Sequence, residues 1–375
     1  MNKLRQFLDV FGASIAAASS PQQVTVCPPT ELHIELTYRC NTACVMCNLR
    51  YLTPDAPELT LPEIKNFIEH SNQLNKISYI VLSGGEAFLR PDLVDIIVFL
   101  RARYPRAGIL ILSNLIDTDL VVSRMKSIRD TAGLDNLSIG TSLDGIADAH
   151  DRIRGKQGSF DALQRTVGFL KKEFPSVFFS FNFTLTPDNC EQILPTFLWA
   201  QENKYHISYQ AMVQKQETKQ FVWQNTQIDD VDRQITAIIE YMCRQEEISP
   251  DAVHELLTRE GLLSQMLALH YIPRYLREPR RYFLNCPCGS KYAMIDPRGN
   301  VYFCPVHKTT YAGNVHRQSF DALWSSNEAD AARSFFNRRE CHCWLTCTNG
   351  YMLGTAIADG KKPFIRSMVT DSSDD

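Results

Sequence analysis

Three cysteines, Cys40, Cys44 and Cys47, stand at C-x3-C-x2-C spacing directly after the strand-like run Glu31-Leu32-His33-Ile34-Glu35-Leu36. Three thiolates on one short loop can hold three irons of a [4Fe-4S] cube and leave the fourth iron without a protein ligand. An open coordination position is where a metal does chemistry, as it is in catalytic zinc sites. A structural zinc loop would use the same residue types, so what separates the two readings is whether a pocket for an organic cofactor stands beside the loop. The next strand-like run ends in Ser83-Gly84-Gly85-Glu86. Glycines at a strand end let the backbone approach a ligand closely, and a carboxylate there can hold an ammonium group. A second group of thiols, Cys286, Cys288, Cys304, Cys341, Cys343 and Cys347, gathers in the last quarter of the chain. A hairpin there would set two thiolates side by side at its base, with a later loop supplying the rest. Four of them would also suit a structural zinc ion. Cys27, Cys190 and Cys243 are scattered and read as ordinary thiols.

Positioning these residues requires a regular scaffold, and from residue 31 to about 212 strand-like and helix-like stretches alternate. The strands read as 32–36, 77–82, 108–112, 136–141, 177–185 and 207–212, most of them near-continuous apolar runs. Such runs suit a parallel sheet covered by helices. Thr60 and Glu63 form a capping box with Pro62 in the first turn, Asp92 opens the next helix, and Ser159 is expected to cap the helix reaching Lys172. Six β-then-α units imply right-handed crossovers, as an open three-quarter barrel or as a flat sheet. In either form a ligand sits at the C-terminal ends of the strands, where the first cysteine loop falls.

Beyond 212 the pattern changes. A polar stretch, 214–227, leads to a helix over 228–245, and a second helix is expected after Ser249-Pro250, to about Leu269. The basic and aromatic segment 271–282 admits three readings: a solvated linker with arginine stems on apolar surface, a nucleic-acid track, or a clamp for an anionic substrate. Residues 292–295 and 301–304 read as a hairpin around Gly299, followed by a helix over 319–337 and the loop Cys341-His342-Cys343-Trp344-Leu345-Thr346-Cys347. At the other end, Leu4, Phe7, Leu8 and Phe11 mark one face of an amphipathic helix. The residues 371–375 are acidic and read as disordered.

The first cysteine motif, with Gly84-Gly85-Glu86 one strand later, resembles the radical S-adenosylmethionine (radical SAM) enzymes. The resemblance extends to Ser142-Leu143-Asp144-Gly145, His150-Asp151, Gly158-Ser159-Phe160 and the C-x10-G-x4-C run from Cys288 through Gly299 to Cys304. That last pattern opens the SPASM or twitch extension of the family. The resemblance implies an α/β fold, a partial (β/α)6 barrel with a small α+β cysteine-rich domain behind it. It implies SAM chelated at the open iron of a cluster on Cys40, Cys44 and Cys47. Reductive cleavage then yields methionine and a 5'-deoxyadenosyl radical that takes a hydrogen from the substrate. A flavodoxin- or ferredoxin-type electron donor is implied as well. Gly84, Gly85 and Glu86 would bind the SAM amino group, Ser142 and one of Arg152 or Arg154, with Arg154 favoured, would serve its carboxylate or ribose, and Asp144 would belong to the same cofactor site. Asn114 would lie beside them, at a strand end where relatives carry Thr-Asn-Gly and this chain has Leu115. Strand five, from Asn182 to Thr186, and strand six, with Gln210 and Met212, would line the adenine and substrate regions; His206, Tyr209 and Gln210 read as packing. Full two-cluster extensions carry more cysteines, so one auxiliary [4Fe-4S] cluster is expected. Its ligands would be Cys288, Cys304 and Cys347, with Cys343 ahead of Cys341 or Cys286 as the fourth.

The expected organisation is an extension at 1–30, the core at 31–212, a helical linker at 213–284, the auxiliary domain at 285–350 and a tail at 351–375. A charge of −3 over 375 residues gives no sign of a nucleic-acid or membrane partner, and no apolar run of eighteen residues is present. Together with the absence of a secretory signal and twelve cysteines that mostly fall in two groups, this suggests a reducing cytoplasm. About thirty residues precede the first strand, too few for a fused peptide-recognition domain. The substrate is therefore expected to be a small metabolite that is oxidised, epimerised or deoxygenated. A ribosomally made peptide is the alternative, and a non-enzymatic zinc-binding interaction protein the reading from another class.

Overall fold

In the computed structural model the described residues are 2–18, 26–47, 49, 57–212, 222–249, 252–283, 286–306, 308, 311–338 and 341–371. Six strands, β1 (Glu31–Glu35), β2 (Tyr79–Ser83), β3 (Gly108–Ser113), β4 (Leu137–Ser142), β5 (Phe178–Leu185) and β6 (His206–Ala211), alternate with helices and pair in parallel. Their spatial order is their chain order, with no reversal. Right-handed crossovers that always step the same way put every helix on one face. Leu32, Ile34, Ile80, Leu82, Ile109 and Ile111 bury against those helices. The alternate residues His33, Glu35 and Ser83 are buried and polar. A sheet with helices on one face only must enclose its other face by curling, which makes this polar face the lumen of a partial barrel.

The cysteine-rich region does not form a separate body. Its first strand, β7 (Tyr292–Ile295), pairs in parallel with β1, and β8 (Asn300–Tyr302) and β9 (Tyr311–Asn314) continue antiparallel, giving one nine-stranded sheet. Side chains stitch the same seam. Tyr38 donates to Asp296 (2.9 Å), Lys308 pairs with Glu35 (2.6 Å), and His33 touches both Tyr292 and Ser83. A second apolar core lies beyond β6, where the helices Asn2–Ala18, Asn225–Gln245, Glu260–His270 and Thr346–Asp371 bury Leu8, Phe11, Ile235, Leu263 and Ile357. Leu4, Leu8 and Phe11 form the apolar face expected of the first helix.

Several local expectations change. Ser159 is the first residue of its helix rather than the cap. Gly158 occupies the cap at φ +75°, and Asp151 accepts from Gly158 N (2.6 Å), Ser159 Oγ (2.8 Å) and Phe160 N (2.8 Å). A carboxylate from the preceding helix thus does the capping, using the positive end of the dipole. The expected helix 319–337 is two, Phe320–Trp324 and Asn327–Asn337, because Ser319 and Ser326 each cap their own start. The helix expected after Ser249 begins at Glu260, behind a 3-10 turn at Val253–Thr258; Pro250 lies outside the described residues. From residue 351 the expected tail is helical to Asp371, and 372–375 lie outside the described residues, as do 213–221 of the polar stretch. The segment 271–282 is largely interior: Tyr271, Tyr275 and Tyr282 pack around Trp344, and Arg274 and Arg277 pair with Asp9 and Asp229.

Candidate functional site: a thiol loop and a cysteine-lined space

The loop carrying Cys40, Cys44 and Cys47 leaves the C-terminal end of β1 and is held on two sides by backbone. On one side Gly85 N donates to Thr37 O (2.7 Å) and Glu86 N to Arg39 O (2.9 Å). A Cβ on Gly84 would stand 2.3 Å from Thr37 O, and one on Gly85 2.3 Å from Arg39 O. Both glycines are therefore required by the cysteine loop itself, whatever ligand also approaches. On the other side Ala43 N and Val45 N donate to Arg154 O (3.1 Å) and Ile153 O (2.9 Å), the last carbonyls of the helix Asp148–Arg154. Gly155, left-handed at φ +63°, closes that contact, since a Cβ there would meet Ala43 O at 2.3 Å. Within the loop the Thr42 hydroxyl lies 3.1 Å from Cys40 Sγ and 3.4 Å from Cys44 Sγ. Burial pushes the Cys47 thiol up.

The other expected residues surround this loop. Glu86 is buried and accepts from Ser113 Oγ (2.8 Å), Phe88 N (3.1 Å) and Asn114 N (2.7 Å). A carboxylate offers about four acceptor positions, so one remains on Oε2 for a further donor. Burial raises the Glu86 pKa against the pull of these donors and of Arg154. Asn114 Nδ2 donates to Asn41 Oδ1 (2.7 Å), tying the end of β3 to the thiol loop. Leu115 adopts φ +55° at the position where a glycine was expected. The backbone keeps the left-handed turn without the residue that favours it.

Asp144 is fully buried and accepts from Arg154 Nη1 (3.2 Å) and Thr184 N (2.8 Å), while its own N–H donates to His150 Nδ1 (3.1 Å). Burial opposes the Arg154 charge, but Cys44, Asp144 and Cys40 outweigh it, so the guanidinium holds its proton more tightly than usual. Ser142 ends β4 level with Asn182 on β5, on the lumen side. Next to it lies an uncharged tier: Ser208 Oγ donates to Asn182 Oδ1 (3.2 Å), and Gln210 Nε2 donates to Thr184 Oγ1 (3.0 Å). Gln210 thus links two strands instead of merely packing; Tyr209 packs, its hydroxyl on Ile193 O (3.2 Å), and His206 is exposed. Sequence reasoning missed Glu58 and Arg90. Glu58 Oε1 accepts from Thr37 Oγ1 (2.7 Å) and Tyr38 N (2.8 Å), and Arg90 donates to Leu36 O (2.9 Å) and Leu59 O (2.5 Å). They fix the root of the loop, and their distance along the chain left no pattern to read.

At the other site Cys286, Cys288, Cys304, Cys341 and Cys343 line one small enclosed space with Arg281. Cys286 and Cys288 share a hydrogen bond, which lowers the first thiol and raises the second, and Cys288 also meets Cys304. Cys341 is buried and interacts with Cys286 and Cys304, and both Cys341 and Cys343 act on Tyr275. Cys347 is the second residue of the helix Thr346–Asp371, and its side chain is outside the described residues. Among the described residues no three such side chains are gathered as a site for one metal ion. The donor sets are soft thiols, three on one loop and five around one space, and they fit iron-sulfur ligation. Away from both, a cavity of about 410 Å³ lies along the outer edge of β6, lined by Tyr205, Tyr209, Tyr241 and Gln265; no residue of either thiol group lines it.

Residues 34–200 match the model of the Radical SAM superfamily, and residues 286–348 that of an iron-sulfur cluster-binding domain, SPASM. An AdoMet-dependent heme synthase of Methanosarcina barkeri is 35% identical over 182 residues, covering 47% of this chain and 49% of that one. Mycofactocin maturase MftC of Mycobacterium tuberculosis is 26% identical over 306 residues, covering 80% and 71%. Among solved structures, anSMEcpe with bound AdoMet and a Cp18Cys peptide superposes with a TM-score of 0.59 at 14% identity, covering 92% of this chain and 99% of the other. The chain spans about half the length of the heme-related relatives it matches, 49% and 43%. Among the described residues no helix is long and apolar enough to cross a membrane.

Proposed function

Because this chain belongs to the radical SAM superfamily and carries a SPASM iron-sulfur domain, we propose that it is an enzyme abstracting hydrogen from a substrate held at the lumen mouth of its partial barrel. The observation that carries the reading is the lacing of the Cys40–Cys44–Cys47 loop between Gly84–Glu86 and the carbonyl end at Arg154. The two domains imply a SAM-binding [4Fe-4S] cluster and auxiliary iron-sulfur ligation; when bound, the former supplies reductive cleavage of SAM to a 5'-deoxyadenosyl radical. Cys40, Cys44 and Cys47 would hold that cluster. The free acceptor position of Glu86 would take one N–H of the SAM ammonium, and Arg154, held by Asp144, would face its carboxylate. Asn114 would fix the loop beside them, and Ser142 would stand at the lumen edge.

For the auxiliary site the proposed ligands are Cys286, Cys288, Cys304 and Cys341, whose mutual contacts support the set; Cys343 lines the same space. The uncharged tier of Asn182, Thr184, Ser208 and Gln210 offers paired donors and acceptors and suits a neutral polar substrate. A small polyhydroxylated metabolite has that chemistry. So does a peptide backbone, and this second reading is favoured by the match across both domains to a maturase. The test is anaerobic reconstitution, iron counting and assay of reductant-dependent 5'-deoxyadenosine formation. About eight irons per chain and SAM cleavage support the proposal, and a colourless protein inert toward SAM overturns it. Supplying candidate metabolites or peptides encoded beside the gene, then weighing products, separates the two substrate classes.

A further inference from the structure

Four arginines stand in the segment 271–282, and three of them meet carboxylates: Arg274 with Asp9, Arg277 with Asp229 and Arg280 with Glu278. Arg281 differs. Among the described residues it has no carboxylate partner; Nη1 donates to Phe336 O (2.7 Å) and Nη2 to Cys341 Sγ (2.7 Å). It also lines the enclosed space with Cys286, Cys288 and Cys304. We propose that Arg281 is a positioning residue for the auxiliary cluster, donating to the ligand sulfur of Cys341 and raising the reduction potential of that site. This rests on reading the C-terminal thiols as an iron-sulfur site.

The physical reason is a matter of charge. Adding an electron to a thiolate-ligated cluster increases its negative charge, and hydrogen bonds to the sulfurs and low solvent exposure are what set the potential. A guanidinium cannot lose its proton, so its charge is the same in both redox states. It therefore stabilises the reduced state more than the oxidised one. The carbonyl of Phe336, at the end of the helix Asn327–Asn337, holds the other arm of the fork and aims Nη2 at the sulfur. The effect is to make the site a better electron acceptor. That would favour net oxidation of the substrate over return of hydrogen to it.

The test uses the full chain carrying Cys40→Ala, Cys44→Ala and Cys47→Ala, so that only the auxiliary site titrates, followed by electron paramagnetic resonance during a potentiometric titration. Arg281→Gln is expected to keep its iron and to lower the reduced-to-oxidised ratio at fixed poise about tenfold, or about 59 mV for one electron. Arg281→Lys keeps the charge without the fork and is expected to fall between. Full iron with an unchanged midpoint in both variants overturns the inference. Should Arg281→Gln fail to hold iron, Arg281→Lys decides alone: a midpoint equal to that of the parent overturns it. A parent that takes up no iron instead overturns the iron-sulfur reading of the domain, which is a separate failure.

Discussion

The two thiol groups are built by different means. Cys40, Cys44 and Cys47 come from one loop, laced on both sides by backbone through four N–H to carbonyl bonds, with three glycines where a Cβ would collide, while Glu58, Arg90 and Asn114 secure its root and one side. The C-terminal thiols come from three separated segments; β7–β8 pairing and one backbone bond from Ala211 N to Trp344 O (3.0 Å) place them, and side chains pack them together. Trp344 packs among Tyr271, Tyr275, Tyr282 and Phe283 and donates to Ala268 O (2.8 Å), and Arg281 reaches Phe336 and Cys341. The first arrangement has no room for an added methyl on its glycines. The second depends on its ring cluster around Trp344.

That contrast can be broken most sharply at the thiols themselves. Changing any one of Cys40, Cys44 or Cys47 to Ala should abolish SAM cleavage while about four irons stay in the C-terminal domain; iron analysis beside a 5'-deoxyadenosine assay reads both. Next in size, Trp344→Ala should cost about 3–5 kcal/mol and release the auxiliary iron first. Urea denaturation with iron counting would show it, and retained auxiliary iron would contradict the side-chain account. Gly85→Ala should displace the first loop at about 2–3 kcal/mol, with SAM affinity falling more than stability. A calorimetric titration with SAM tests this.

How much of this was legible in the chain follows from the same contrast. The first loop was readable because its three thiols lie within eight residues, and Gly84-Gly85-Glu86 because a strand end limits where it can go. All six core strands were found to within two residues, since each is a strongly patterned run. What was not legible depends on distant partners. The joining of β7 to β1, the capping by Asp151 and the roles of Glu58, Arg90 and Arg281 all leave no local spacing. Leu115 shows the limit from the other side. A leucine where relatives carry glycine put a backbone contact there in doubt, yet the backbone is left-handed, because burying that leucine is worth about 1.5–3 kcal/mol against about 1–2 kcal/mol of strain.

The smallest expected effect belongs to the seam between the two regions. Burial lowers the pKa of His33 to about 3, with Lys308 adding to it, and that of His150 to about 3. An unfolded histidine takes a proton below about pH 6.5, whereas these rings stay neutral in the folded chain. Each therefore contributes stability that is present above pH 6.5 and lost as pH falls toward 3, by about 1.4 kcal/mol per pH unit at most. Glu31, raised to about 7 by burial, runs the other way, losing stability as pH rises from about 4.5 to 7. In the metal-free protein His33→Asn should remove one histidine's share of the acid slope, measured as urea midpoints between pH 4.5 and 6.5. An unaltered slope would place the ring in water.

The pairing of β7 with β1 has a consequence for any attempt to divide the molecule. A chain cut before Tyr292 would leave the β1 edge with unpaired amides and carbonyls, and uncovered strand edges recruit other chains. The shortened protein should form sticky oligomers even though its own six strands and three thiols are intact. Cluster-binding fragments prepared that way would report on aggregation rather than on the radical chemistry.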